Sequence, residues 1–156
     1  MAKVRLDKVN DKKVISVKVA KETQDGTFVA VKKVLGEDAL GREVYVAEDL
    51  TAGVAKGRIA MIAMDTHRYD ELRDERVGAE GIDKKALQND IVRAYILDAG
   101  DIISTDNAEL EAMEVGTLLK AGAGKLVDGA TEADAVAVVI AKEKWCGVDV
   151  AVIQFL

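Results

Sequence analysis

Apolar and polar residues alternate with a period of two along much of the chain, the spacing that turns one face of a β-strand toward a core. Val14-Ile15-Ser16-Val17-Lys18-Val19 puts Ile15, Val17 and Val19 on one face and Ser16 and Lys18 on the other. A strand over residues 28–35 follows the turn-forming Gln24-Asp25-Gly26. Another over residues 42–46 follows Gly41, with Val44 and Val46 predicted to face inward. The stretch from Arg58 to Met64 is apolar on both faces, which predicts a strand covered on both sides. A strand over residues 91–97 ends at the turn Ala99-Gly100-Asp101, and Ile102 and Ile103 continue after it.

The C-terminal pattern is the clearest. Residues 135–145 and 148–156 flank Cys146-Gly147 and read as a hairpin. Val136, Val138 and Ile140 are expected on one face, with Val150 and Val152 opposite them. Thr131-Glu132-Ala133-Asp134 resembles a helix capping box, so a helix over residues 132–142 competes. The β-branched run of Val136, Val138, Val139 and Ile140 favours the strand. Short strands separated by Gly-containing turns predict a mainly β fold, a β-barrel or sandwich of short strands. Such a fold fits a single β-rich domain spanning residues 1–156. The pattern breaks once, in a long polar insertion at about residues 65–90, where long connections serve as functional loops or arms. It is dense in charge from Asp65 to Arg76, and a short helix-compatible stretch follows from Asp83 to Asn89. Little apolar burial offsets the cost of ordering it, so it is expected to protrude as a loop or arm, less protected than the flanking strands.

Composition narrows the chemistry. The 156 residues are 49% hydrophobic and 32% charged, a globular profile, and aromatics are 4%. So few aromatics disfavour a base-stacking platform for single-stranded nucleic acid. The formal charge is −6, unevenly spread: residues 1–33 hold nine Lys/Arg against four Asp/Glu, and the rest hold 13 against 24. A short basic third beside an acidic remainder suits docking on an acidic partner surface and disfavours direct nucleic-acid binding. The absence of Pro removes one device for blunting exposed strand edges. A lone cysteine, Cys146, excludes an internal disulfide and fits a reducing compartment. Residues 1–11 are charged and carry no apolar signal region, and no apolar run nears the roughly 18 residues that span a bilayer. The sequence thus reads as a soluble protein made in the cytoplasm, with no membrane contact.

No catalytic constellation stands out. His67 is the sole histidine, which leaves neither a His-pair metal site nor a nucleophile elbow beside it. Ala121-Gly122-Ala123-Gly124-Lys125 hints at a phosphate loop but has Leu119 where its first Gly belongs and Leu126 where Ser or Thr belongs. Gly122 and Gly124 are instead expected to make a tight connection between strands near Leu118 and Leu126. Asp98, Asp101 and Asp106 miss the calcium-loop spacing. No enzyme activity, cofactor or metal is expected.

Two stretches carry a family resemblance. Val4-Arg5-Leu6-Asp7-Lys8-Val9, followed by Val14-Ile15-Ser16-Val17, resembles small proteins encoded beside the major capsid protein in phages and prophages of Gram-positive bacteria. Arg68-Tyr69-Asp70-Glu71, a variable polar stretch, then Val92-Arg93-Ala94-Tyr95-Ile96-Leu97 and Gly100-Asp101 are similar to that group's hallmark region. The resemblance implies a head decoration, or cement, protein on the capsid surface of the virion. It also implies the major capsid protein as partner and a homo-oligomer, a trimer by analogy. The residues expected to meet that partner are Lys3, Arg5, Lys8, Lys12 and Lys13 in the basic stretch, with Arg68 and Tyr69 in the insertion. A tail or head-completion component is the alternative within the same particle. A small cytosolic ligand-binding barrel or enzyme is the alternative of another class.

Overall fold

The computed structural model describes residues 4–8, 14–36, 44–63, 85–145 and 147–156. The strands are β1 (Val4–Lys8), β2 (Val14–Val19), β3 (Thr23–Gln24), β4 (Phe28–Gly36), β5 (Val44–Asp49), β6 (Ile59–Ile62) and β7 (Lys85–Ala86). They continue as β8 (Ile91–Ile96), β9 (Ile102–Thr105), β10 (Leu118–Gly122), β11 (Lys125–Val127), β12 (Ala137–Trp145) and β13 (Val148–Phe155). One helical turn, α1 (Ala108–Glu111), follows β9. The fold is mainly β, with a closed barrel, as the alternation predicts.

Five strands close that barrel in the order β2-β5-β4-β6-β8, and closure removes exposed edges from this sheet. β2 shows why they do. Its alternating side chains Ile15, Val17 and Val19 point to the lumen, where they meet Val29, Val31, Ala60, Ile62 and Ala94. Valine and alanine suit so narrow an interior, which side chains must fill without voids. The β2–β5 pair is parallel, with Val17 beside Tyr45 and Val19 beside Ala47. That register corrects the facing expected for β5: Tyr45 and Ala47 line the lumen, and Val44 and Val46 lie on the opposite face. Val44 is nevertheless buried.

A second sheet of six strands runs β1-β9-β13-β12-β10-β11, antiparallel throughout. It packs on the barrel wall formed by β4 and β6. Phe28 and Ala30 alternate with Val29 and Val31, and Ile59 and Met61 alternate with Ala60 and Ile62. The first set of each strand joins Ile103, Leu119, Leu126, Val139, Ile153 and Phe155 in a core between the two sheets. The Phe28 and Phe155 rings are tilted with centroids 6.1 Å apart. All four residues of β6 are buried, so the strand is covered on both sides as its unbroken apolar run predicts.

The C-terminal hairpin forms, with β12 and β13 paired from Ala137–Phe155 to Trp145–Val148 around a two-residue connection. Gly147 closes it at φ +83, a left-handed conformation that costs a residue with Cβ about 1–2 kcal/mol. The face assignment needs correction. Ala137 and Val139 look into the inter-sheet core with Ala151 and Ile153, while Val138 lies with Val152 on the other face. An irregularity between Val139 and Ala141 leaves Ile140 without a partner in the ladder and 36% exposed. Val136, just before β12, also belongs to the inter-sheet core. The competing helix is limited to one turn at residues 131–135, where the Ala135 N–H donates to the Thr131 carbonyl at 2.9 Å.

Two shorter connections match the sequence as well. β10 and β11 pair up to Gly122–Lys125, so Ala123 and Gly124 form the turn, at φ +51 and +79. Positive φ at both positions is what a two-residue hairpin turn of the mirror-image type needs. The Asp101 carboxylate accepts from the Asp98 N–H at 2.8 Å and fixes the turn from β8 into β9. The Gly100 N–H donates to the Phe155 carbonyl and the Phe155 N–H to the Asp101 carbonyl, both at 2.9 Å, tying the last strand to the turn.

Candidate interaction surface

Of the residues expected to meet a partner, Lys3, Lys12, Lys13, Arg68 and Tyr69 lie outside the described residues, as do His67 and Cys146. Arg5 and Lys8 lie on β1, which among the described residues pairs with β9 alone and forms one edge of the six-stranded sheet. Arg5 stands opposite Ser104 and Leu6 opposite Ile103, and the register shifts between Leu6 and Lys8. Such a shift bends an edge strand and interrupts its ladder. The structure thus places two of the seven on one strand.

Residues 64–84 of the polar insertion lie outside the described residues, but its end does not. The helix-compatible stretch at Asp83–Asn89 gives way to β7, which pairs with β3, and to a turn. The physical reason is local. The Asp90 carboxylate accepts from the Leu87 N–H at 2.8 Å, and Asn89 adopts φ +71, which no helix interior allows. The Asn89 N–H then donates to the Val19 carbonyl at 2.9 Å, and Ala86 packs into the barrel core.

Five lysines elsewhere on the described surface are paired. Lys21 meets Asp49 at 2.7 Å, Lys32 meets Glu48 at 2.6 Å and Lys85 meets Glu22 at 3.2 Å. Lys125 pairs with Glu109, and Lys144 meets Asp149 at 3.4 Å. Each pair is solvent-exposed and contributes at most about 1 kcal/mol, so their effect is to cancel local charge rather than to hold the fold. α1 is a local device of the same surface: the Asn107 carboxamide oxygen caps it by accepting from the Glu109 N–H at 3.0 Å.

Two open clefts are lined by described residues. One of about 230 Å³ lies at the barrel mouth, bordered by Val19, Lys21, Thr23, Ala47 and Asp49. The other, about 300 Å³, lies between residues 52–56 and the segment holding Lys120, Asp134 and Val136. Both fall at or below the small end of ligand pockets. No cluster of three or more His, Cys, Asp or Glu poised for a metal occurs among the described residues.

Among the described residues, Asp134 is the one carboxylate with a clear electrostatic signature. The Thr131 hydroxyl donates to it at 2.7 Å and the Thr131 N–H at 2.5 Å, half of the capping box read from the sequence. The Thr131 hydroxyl chiefly, then the Thr131 N–H, hold its carboxyl below the ordinary value of 3.8, with a further contribution from Lys120. A depressed folded-state pKa means that the turn gains its support above the ordinary value and loses it as pH falls through the folded value. In a carboxyl NMR titration Asp134 should therefore titrate below 3.8, and Thr131→Val should move it back up. An unmoved Asp134 in the variant would contradict the assignment of its cause.

Comparison with protein-family models, with curated proteins and with solved structures finds no match for this chain.

Proposed function

We propose that this chain is a structural virion protein that binds the exterior of a phage capsid and stabilises it, a head decoration protein whose partner is the major capsid protein. The observation that carries the reading is the course of the opening motif. Its residues 4–8 form the edge strand of the six-stranded sheet, and residues 14–19 form a barrel strand. The basic stretch therefore borders a strand that no second described strand pairs with, the kind of edge on which main-chain hydrogen bonds hold an extended partner. Cations flanking such an edge steer it onto an acidic surface and chiefly raise the association rate. A doubly sealed β core gives the rigidity that a clamp on a shell needs.

The experiment mixes purified protein with undecorated shells and follows the approach to saturation. Replacing Lys12 and Lys13 by Glu should slow decoration, and raising salt should slow the wild type toward the variant. The Debye length shrinks from about 10 Å at 0.1 M to about 3 Å at 1 M, so exposed attractions fade. Equal rates for wild type and variant at low salt would remove steering by the basic stretch. Failure of the wild type to bind would remove the decoration reading.

A further inference from the structure

The barrel has an outer face that the six-stranded sheet does not cover. The register of β2 against β8 pairs Val14 with Tyr95, Ser16 with Arg93 and Lys18 with Ile91. The alternate residues Ile15, Val17, Val92 and Ala94 belong to the lumen, so these six point outward. Val14 is 39% and Ile91 42% exposed, Ser16 and Arg93 are exposed, and Lys18 and Tyr95 are half-buried. The patch holds two cations and no carboxylate, on a chain whose formal charge is −6. Unlike Lys21, Lys32, Lys85, Lys125 and Lys144, neither Lys18 nor Arg93 has an ion-pair partner among the described residues.

From this we infer that the outer face of β2 and β8 docks a carboxylate-bearing patch on a protein partner, through Arg93 and Lys18 framed by Tyr95, Val14 and Ile91. The inference rests on the decoration reading, which makes that partner the shell. Charge complementarity selects the occupant. A guanidinium presents a fork that matches a carboxylate with two parallel hydrogen bonds, and Ser16 across the ladder is too short to compete for it. Tyr and Arg beside aliphatic residues are also the composition of interface centres. Nucleic acid fits less well. Binding through phosphates scales with the cations supplied, and two on an acidic chain give little affinity at physiological salt. The sheet face suits a broad protein contact, and the closed barrel fixes the backbone beneath the six side chains, so the ordering cost on docking falls on the side chains alone.

The test compares sedimentation of wild type, Lys18→Glu/Arg93→Glu, Ser16→Glu and Arg93→Lys with undecorated shells, before and after nuclease treatment, with melting temperatures measured alongside. The charge-reversed double variant should bind at least about tenfold more weakly, a loss of about 1.4 kcal/mol. Ser16→Glu, which leaves both cations in place and puts one repelling carboxylate at an exposed position opposite Arg93, should weaken binding in the same direction. Arg93→Lys, which keeps the charge and loses the fork, should bind more weakly than wild type and more tightly than the double variant. Should the double variant melt much earlier, Ser16→Glu carries the test. Binding by both acidic variants equal to that of wild type overturns this face as the docking surface and leaves the decoration reading standing. Binding that nuclease treatment abolishes makes the partner nucleic acid and overturns the inference. No wild-type binding to any shell overturns both.

Discussion

Replacing Ile59 by Ala is expected to destabilise the protein by about 2–5 kcal/mol, and replacing Ile62 by Ala to do the same, although the two side chains point to opposite faces of one strand. Ile59 belongs to the core between the sheets and Ile62 to the barrel lumen, and both are fully buried. Each substitution removes about three methylene equivalents and leaves a void that the wall strand cannot close without shifting the sheet behind it. For a chain of this length each kcal/mol moves the melting temperature by about 2–4 °C, so each variant should melt roughly 5–20 °C lower. Ser16→Ala, on the exposed face of the same barrel, should stay within about 0.5 kcal/mol of wild type. Denaturant unfolding of the three variants checks this. A cost below about 1 kcal/mol at either isoleucine would mean that one face of β6 is open to water, contrary to the two-sided packing described above.

The same strand shows how much of the architecture the sequence discloses. An unbroken apolar run predicts cover on both sides of β6, and both covers exist. It says nothing of what they are, because a barrel lumen and a second sheet demand the same residue types. β2, the turns at Gly26, Gly100 and Gly124, and the C-terminal hairpin are legible because alternation and turn chemistry are local. β5 is not. Its facing follows from parallel pairing with β2, a contact between segments far apart in sequence, and that register turns Tyr45 rather than Val44 to the lumen. The hairpin face misleads because Val136 and Ala137 both enter the inter-sheet core, so the alternation read from Val136 is one position out by Val138, and the irregularity at Ile140 shifts the parity again after it. The Asn89 turn hides behind helix-compatible neighbours, and only its positive φ and the Asp90 side chain decide the matter.

The candidate surfaces divide in the same way. Counting charges along the chain finds the basic N-terminal third without any structure. Which cations share a face is a matter of register. Lys18 and Arg93 are 75 positions apart in sequence and become neighbours only because Ser16 pairs with Arg93 and Lys18 with Ile91. Arg93 lies inside the segment that carries the family resemblance, yet nothing in that motif separates its outward residues Arg93 and Tyr95 from its lumenal residues Val92 and Ala94. The closed barrel makes that separation.

The decoration reading stands or falls most directly on the amount of this chain that an assembled shell takes up. Undecorated shells titrated with purified wild-type protein, sedimented and quantified for bound and free chain, give that number. The account predicts saturation at a fixed number of copies per shell, the same in independent preparations and commensurate with the shell's symmetry. It also predicts that decorated shells survive heating or low salt longer than bare ones. Protein left wholly in the supernatant at every concentration, or uptake that rises without saturating, would contradict it.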